Sequence, residues 1–508
     1  MTKRPACLPT GKVYLVGAGP GDPGLITLRG VACLRDADVV LYDYLVNPEI
    51  LEHAPPHVER ICLGRHGQGR IWSQNEIHEH LIAVAKAGQT AVRLKGGDPA
   101  VFSRGAEEIE SLLDAEIAFE VVPGITAALA ASSYTGIPIT HRGLASAVAL
   151  VTGHEEEGKD SSGIDYNALA QFPGTLVMYM GVTTAPYWTS QLIAAGKSPD
   201  TPVAIIRRCS WSDQTVIRCR LNELVDSLNV PQKLRPPIIV IIGPVAGLTE
   251  ALSWFEKRPL FGKRILVTRP YDQVDSLRRR LVSLGAEVLV QPAIRITPPD
   301  GWQDVDKVIS RLGEFDWLVF SSSNGVRFFL QRLFELGHDL RSFGTVKLAS
   351  IGPGTASELK RYHLNCDLLP DEYRAESFAE SLQDRVRGKR CLLLRASRGR
   401  EVLADRLREV AENVTQVVVY NSHDVEQPEE HISAMLSEGA VDWITVTSSA
   451  IARSLMSMFG ETLRNTQISS MSPVTSMTLR ELGLEPVAES NDYTMDGLVK
   501  AIVSASDS

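Results

Sequence analysis

Apolar and polar positions follow two rhythms along this chain. Short apolar runs recur as KVYLVGAG from Lys12, DVVLYD ending at Asp43, TAVRLKGG from Thr90 and FEVVPG from Phe119. Between them lie stretches with helical spacing, such as LITLRGVACLRDA from Leu25. Buried strands alternating with amphipathic helices predict an α/β fold. After Arg142 a second group follows, SAVALVTGH, TLVMYMG, PVAIIR and PPIIVIIG. It predicts a second sheet, and so two lobes at 12–143 and 144–256 within a first domain of 12–258. The apolar stretch from Pro237 to Leu248 is interrupted by Gly243 and Pro244. It falls short of the roughly 20 residues a membrane-spanning helix needs, so it reads as a buried strand and its turn. WFEKRPLFGKR, Trp254 to Arg264, precedes a fresh strand at RILVTRP and reads as a seam.

Beyond the seam the pattern repeats. RILVTRP at Arg264 is echoed by RCLLLRA at Arg390, and DWLVFSSSNGVRFF at Asp316 by DWITVTSSAIARSL at Asp442, each 126 residues later. VKLASIGPGTASELKRYHL is echoed by TQISSMSPVTSMTLRELGL, which sets Thr355 against Thr475. A period this long is no solenoid; it predicts two homologous lobes with a cleft between them. Strands that end in Ser, Thr or Gly ahead of a helix predict helix N-termini able to receive carboxylates.

Composition narrows the class. Hydrophobic residues are 44% and charged residues 22%, a soluble globular balance. A net charge of −9 leaves no broad basic surface, which argues against a nucleic-acid partner. Seven scattered cysteines without CxxC spacing point away from a disulfide framework and from a metal site. With no apolar leader and no membrane segment, they predict a cytoplasmic protein. One local exception is RICLGRHGQGR, Arg60 to Arg70, which carries Arg60, Arg65, His66 and Arg70 without an acid. It reads as a solvated loop or as an anion clamp.

GAGPGDPGLITLRG, Gly17 to Gly30, with Asp43 beyond it, first suggests a dinucleotide-binding turn. The detail disagrees: Asp22 stands where a third glycine is needed, Pro20 and Pro23 stiffen the turn, and the Asp22 charge repels phosphate. A nucleotide-binding oxidoreductase is therefore disfavoured. Taken with YDYLV, RLKGGDPAVFSRG, VVPGITAALAASSYTGIPITHR, VALVTGH and LVMYMG, residues 12–256 resemble the uroporphyrinogen-III C-methyltransferases of the tetrapyrrole methylase family. The resemblance implies a two-lobed fold that binds S-adenosylmethionine between its lobes and forms a homodimer. It implies cofactor contacts at Pro20, Gly96, Gly97, Asp98, Val101, Thr126, Ala127 and Met180, and at Cys209 and Ile238, where the family usually has smaller residues. It places a general base at Asp43, to take the proton lost when a pyrrole carbon accepts a methyl group. At Arg65 the family commonly has Lys; because a guanidinium stays protonated, Arg65 reads as a clamp for substrate carboxylates.

Residues 261–508 resemble uroporphyrinogen-III synthase through RILVTRP, DWLVFSSSNGVRFF, IGPGTA and RCLLLRASRGREVL. This resemblance implies one lobe of 302–418 and one of 262–297 plus 425–505, hinged through AIRITP and VVVYNSHDV. It implies Tyr420 as proton donor to the departing hydroxyl of hydroxymethylbilane, with Thr355, Ser448 and Ser449 holding its carboxylates. No metal and no cofactor are expected in this half. The whole chain thus reads as a two-lobed tetrapyrrole methylase fold followed by a bilobal α/β synthase with internally repeated lobes. Its partners are expected to be small tetrapyrroles, with no nucleic acid and no membrane. The expected reactions are closure of hydroxymethylbilane to uroporphyrinogen III and two methylations to precorrin-2; a synthase half that only binds tetrapyrrole is the nearest alternative.

Overall fold

Each apolar run named above forms a strand. The computed structural model describes residues 11–64, 70–154, 163–229, 234–248, 252–399 and 401–506. The chain divides into two units, residues 1–262 and 263–508.

In the first unit β1 (Lys12–Gly17), β2 (Val39–Tyr42), β3 (Glu59–Cys62), β4 (Ala91–Lys95) and β5 (Ala118–Val122) form a parallel sheet in the order 3-2-4-1-5. A second sheet holds β6 (Val148–Thr152), β7 (Thr175–Tyr179), β8 (Pro202–Arg207), β9 (Thr215–Arg220) and β10 (Ile238–Ile242) in the order 6-7-10-8-9. Only β6 and β7 run parallel there. Sequence reading missed β3 and β9. Both are edge strands with charged residues at their ends, so they lack the continuous apolar run of a strand covered on both faces.

Three strand ends of the first sheet approach one another closely. A Cβ on Gly17 would lie 2.5 Å from the Gly124 Cα, so no side chain fits there. Gly97, at φ +73°, exchanges backbone hydrogen bonds of 2.8 and 3.1 Å with Gly19. The seam expected at Trp254 to Arg264 contains the division between the units, which falls after Gly262, and its first part packs onto this unit's core. Phe255 and Leu260 are buried, the Phe255 ring lies 4.6 Å from the Tyr134 ring, and Trp254 donates to the Ser133 carbonyl at 2.8 Å.

The second unit contains two sheets. The outer one joins β11 (Arg264–Val267), β12 (Glu287–Val290), β18 (Trp443–Val446), β19 (Gln467–Ser470) and β20 (Ala488–Glu489) in the parallel order 12-11-18-19-20. The inner one joins β13 (Ile294–Thr297), β14 (Trp317–Phe320), β15 (Lys347–Ser350), β16 (Arg390–Ala396) and β17 (Asn413–Asp424) in the order 13-17-16-14-15. The inner lobe is thus inserted into the outer one after β12. The two segments expected as a hinge pair with each other, antiparallel, from Ile294 opposite Asp424 to Thr297 opposite Asn421. Hydrogen bonding therefore assigns 294–297 to the inner sheet, whereas sequence reading grouped it with the outer lobe. Its side chains serve both lobes: Ile294 is buried in the outer core and Ile296 packs against both.

The internal repeat recurs in backbone geometry. Ser322, Gly352, Ser448 and Ser472 each precede a helix in almost the same extended conformation, φ −160 to −167° and ψ 157 to 171°. The three serines cap their helices, accepting from the N–H groups of Gly325, Ile451 and Thr475. No helix among the described residues is long and apolar enough to cross a membrane.

Candidate functional site

Strand β4 alternates Ala91, Arg93 and Lys95 on one face, so two cations point the same way from a buried strand. Arg93 is 3% exposed and Lys95 1%. Glu108, on the helix Gly105–Asp114, answers both: its Oε1 accepts from Arg93 Nε at 3.0 Å and from Lys95 Nζ at 2.7 Å. Arg93 reaches on with Nη2 to Asp43 Oδ1 at 2.6 Å, and the other Asp43 oxygen accepts the Gly96 N–H at 3.2 Å. Two cations and two carboxylates thus form one neutral, largely buried chain that aims the Asp43 carboxylate. Burial opposes the Arg93 charge, but the fields of Asp43 and Glu108 outweigh it and raise its pKa. Burial, aided by the Arg93 charge, lowers that of Lys95.

The surface beside Asp43 is walled by glycines with little packed against them. A Cβ on Gly96 would meet only Leu45 Cβ at 3.7 Å, and a Cβ on Gly97 would lie 3.9 Å from the Thr126 Cα, at the start of the helix Ala127–Thr135. Asp98 is fixed by the N–H groups of Ala100 and Gly124. The Tyr179 hydroxyl meets Thr126 Oγ1 at 2.7 Å and accepts the Ala128 N–H at 2.9 Å, closing that helix end from the second sheet. Phe102 stands 5.0 Å from the Tyr179 ring, and Val101 packs in the same cluster. Across from β1, Trp211 donates to the Pro20 carbonyl at 3.2 Å and Ser210 Oγ accepts the Asp22 N–H at 3.0 Å. Asp22 also receives the Tyr134 hydroxyl at 2.7 Å and caps Gly24, so its charge holds the turn together. Eight non-glycine residues among those described have positive φ, and Phe102, Arg104, Met180, Arg208 and Ser210 are five of them. Strained backbone of this kind concentrates where surrounding structure holds a site in shape.

The structure therefore brings Pro20, Asp43, Gly96, Gly97, Asp98, Val101, Thr126, Ala127, Met180 and Cys209 into one neighbourhood. Cys209 turns its thiol into the core, 3.8 Å from the Ala127 carbonyl, and burial pushes its pKa up to about 12. Ile238 is placed differently. Its side chain packs with Trp188 on the far face of β10, while Ile239 shares the face of Tyr179 and Cys209. Alternation along the strand leaves Ile238 only its backbone for a ligand on that side. Arg65 and His66 lie outside the described residues. The flanks of that basic run are engaged locally, Arg60 with the Ala54 carbonyl at 3.1 Å and Arg70 with Glu76. Sequence reading missed Arg93, Lys95, Glu108 and Tyr179. The paired cations inside AVRLK were a usable signal; nothing in the helix sequence marked Glu108 apart from its neighbours.

In the second unit the Tyr420 hydroxyl lies 3.0 Å from Ser322 Oγ, at the start of the helix Ser323–Glu335. Its ring stacks on Phe328 at 5.9 Å. Burial raises the phenol pKa against the opposing hydrogen bonds of Ser322 and Asn324. Thr355 is buried in the first turn of the helix Pro353–Arg361, at the end of the neighbouring strand β15. Ser448 caps the helix Ser449–Phe459 of the outer lobe. The Ser449 hydroxyl is engaged by Thr478 Oγ1 at 2.8 Å, which ties that helix to the next. The lobes meet here: Asp272 pairs with Arg327 at 2.6 Å, and Gln273 donates to Asn324 at 2.9 Å.

Residues 12–225 match the family model of tetrapyrrole (corrin/porphyrin) methylases, and residues 275–500 that of uroporphyrinogen-III synthase HemD. The porphyrin biosynthesis protein HemD of Ruminiclostridium josui is 36% identical over 441 residues, 87% of either chain. The uroporphyrinogen-III C-methyltransferase of Bacillus subtilis is 38% identical over 71% of this chain and 74% of its own. An S-adenosyl-L-methionine-dependent uroporphyrinogen III methyltransferase of Methanosarcina barkeri is 46% identical over 48% of this chain and 95% of its own. The order of the two family matches, and relatives that span most of the chain, place it: this chain belongs to the family in which a tetrapyrrole methylase is joined to a uroporphyrinogen-III synthase.

Proposed function

We infer that residues 261–508 close hydroxymethylbilane to uroporphyrinogen III with the last ring inverted, and that residues 12–258 methylate that product twice to precorrin-2. The observation that carries the reading is Asp43, anchored by Arg93 and the Gly96 N–H beside an open, glycine-walled surface. S-adenosylmethionine fits that surface. It carries no phosphate, and the space left by Gly96 together with the Asp98 loop, Thr126, Ala127 and the Met180 backbone offers close approach and polar edges. When bound, it supplies the methyl group. Asp43 takes the proton that the substrate loses, and Arg93 keeps the carboxylate aimed while it does so. The first unit is assigned as a homodimer; the exposed Leu28 and Leu129, and Val121 on edge strand β5, supply apolar surface for it. Seven scattered cysteines support a reducing, cytosolic setting.

In the second unit Tyr420 donates its phenolic proton to the departing hydroxyl as the C–O bond breaks, releasing water. Its raised pKa keeps that proton in place at neutral pH. The helix N-termini at Thr355 and Ser448 receive substrate carboxylates, and no cofactor enters this step. The test is to feed the purified chain hydroxymethylbilane with and without S-adenosylmethionine. The reading expects uroporphyrinogen III without the methyl donor and precorrin-2 with it. Only the isomer of spontaneous closure would overturn the synthase assignment; unmethylated uroporphyrinogen III in the presence of donor would overturn the other.

A further inference from the structure

Arg269 and Arg395 occupy the same place in the two repeated lobes of the second unit. RILVTRP and RCLLLRA align 126 residues apart, and the match continues through the following helices, with Leu277 and Leu281 buried as Leu403 and Leu407 are. Each arginine stands at the C-terminal end of a strand beside the point where its sheet reverses its winding. In the outer sheet the chain passes from β11 to β12 on one side and returns at β18 on the other; in the inner sheet the corresponding pair is β16 and β14. Crevices at such points, outside the carboxyl ends of strands, are where open α/β sheets bind ligands.

The two guanidinium groups are treated differently. Arg395 is neutralised within the chain: it pairs with Glu401, donates to Gln416 at 2.9 Å, and also reaches the carbonyls of Ala396 and Gly399 at 3.2 and 3.3 Å. Arg269 has one good acceptor, Gln273 Oε1 at 2.8 Å, and one weak one, the Met495 sulfur at 3.7 Å. Its Nε is buried with no acceptor among the described residues. The residue matching Glu401 is Asp275, one methylene shorter and exposed, and no carboxylate of the described residues forms an ion pair with Arg269. Asp272 is close enough to be felt, but its carboxylate is held by Arg327. A partly buried guanidinium whose Nε is withdrawn from water without an acceptor is costly, and the cost is met when an anion arrives.

We propose that Arg269 binds a carboxylate of the linear tetrapyrrole, while its twin Arg395 serves the fold alone. The proposal rests on the synthase reading of the second unit. The connections of Arg269 place that carboxylate near the reacting end. Gln273, its acceptor, also donates to Asn324, the second residue of the helix whose cap, Ser322, meets the Tyr420 hydroxyl.

The experiment compares Arg269→Met, Arg269→Lys and Arg395→Met in the full chain, each read by hydroxymethylbilane turnover, thermal unfolding and titration with uroporphyrin, an octacarboxylate. Arg269→Met is expected to raise KM about tenfold or more, the scale of a lost charge-assisted pair, with kcat within about threefold. Arg269→Lys should recover part of that loss. The melting temperature of Arg269→Met should stay level or rise, because a partly buried charge without an ion-pair partner has gone, and a fall would assign Arg269 to the fold instead. Arg395→Met should leave KM within about twofold. An unchanged KM for Arg269→Met in a chain that makes uroporphyrinogen III overturns the proposal and leaves the synthase reading standing. A chain that forms only the spontaneous isomer, yet loses uroporphyrin affinity in Arg269→Met, overturns the synthase reading and supports the carboxylate site.

Discussion

Arg93 holds two carboxylates at once, and its neighbours divide into those that serve chemistry and those that serve the fold. Asp43, partly exposed, is the end proposed as the base. Asp43→Asn preserves the shape and removes the proposed base, so methyl transfer should fall about 10²-fold or more while S-adenosylhomocysteine affinity holds; turnover and calorimetry check both. Glu108 is the structural end. With its side chain fully buried, Glu108→Gln leaves Arg93 and Lys95 without their shared counter-charge. Chemical denaturation of the N-terminal unit should show about 3–5 kcal/mol lost. Breaking the well-exposed Arg220–Asp200 pair should cost less than about 1 kcal/mol. Tyr420 supplies a pH signature. A raised phenol pKa means the proton leaves at higher pH than for an ordinary tyrosine, near 10. The synthase rate should therefore show no alkaline limb from this group until above about pH 10, and Tyr420→Phe should lower the rate across the whole profile. Of these residues, Asp43 and Tyr420 stand out in the sequence as the ends of apolar runs, and the roles proposed for them come from the family resemblance. Glu108 does not, since what distinguishes it is a partner 13 to 15 positions away on another element.

At the scale of elements, the glycines of the first sheet separate packing from binding. Gly17→Ala would drive a Cβ to 2.5 Å from the backbone of Gly124, so that variant should fail to fold or melt far below the parent. Gly96→Ala meets only Leu45 Cβ at 3.7 Å. It should fold with an unchanged melting temperature and yet lose S-adenosylmethionine affinity, because its methyl group enters the ligand's space; equal affinity would remove Gly96 from the site. Elements were legible wherever both sheet faces are covered, because burial there demands unbroken apolar runs. They were not at β3 and β9, where edge position admits Glu59, Arg60, Arg218 and Arg220. Strand ends were legible as motifs, but the face a residue occupies was not: Ile238 and Ile239 are adjacent and alike, and only the pairing of β10 with β7 and β8 decides which one turns toward Tyr179.

For the whole molecule, the sheets of each unit are completed by strands of that unit. Expressed separately, residues 1–262 and 263–508 should each be soluble and cooperative. The first piece should methylate supplied uroporphyrinogen III, and the second should make it without a methyl donor; aggregation of either piece counts against independence. The twofold division could be read from the chain because the methylase motifs end before RILVTRP begins a new repeat. The lobe to which β13 belongs could not, since its side chains serve one core and its hydrogen bonds another sheet. The insertion of the inner lobe within the outer one also sets an order for biogenesis. During synthesis from the N-terminus, the first unit and then the inner lobe, complete by Asp424, emerge before β18, β19 and β20. Until then β11 and β12 wait as a two-strand fragment with Leu266 unprotected by Ile444 and Val446, which cover it in the finished core. The nascent outer lobe thus exposes apolar surface until its last strands emerge, and a premature stop before Trp443 would leave the methylase unit attached to a permanently exposed half-core.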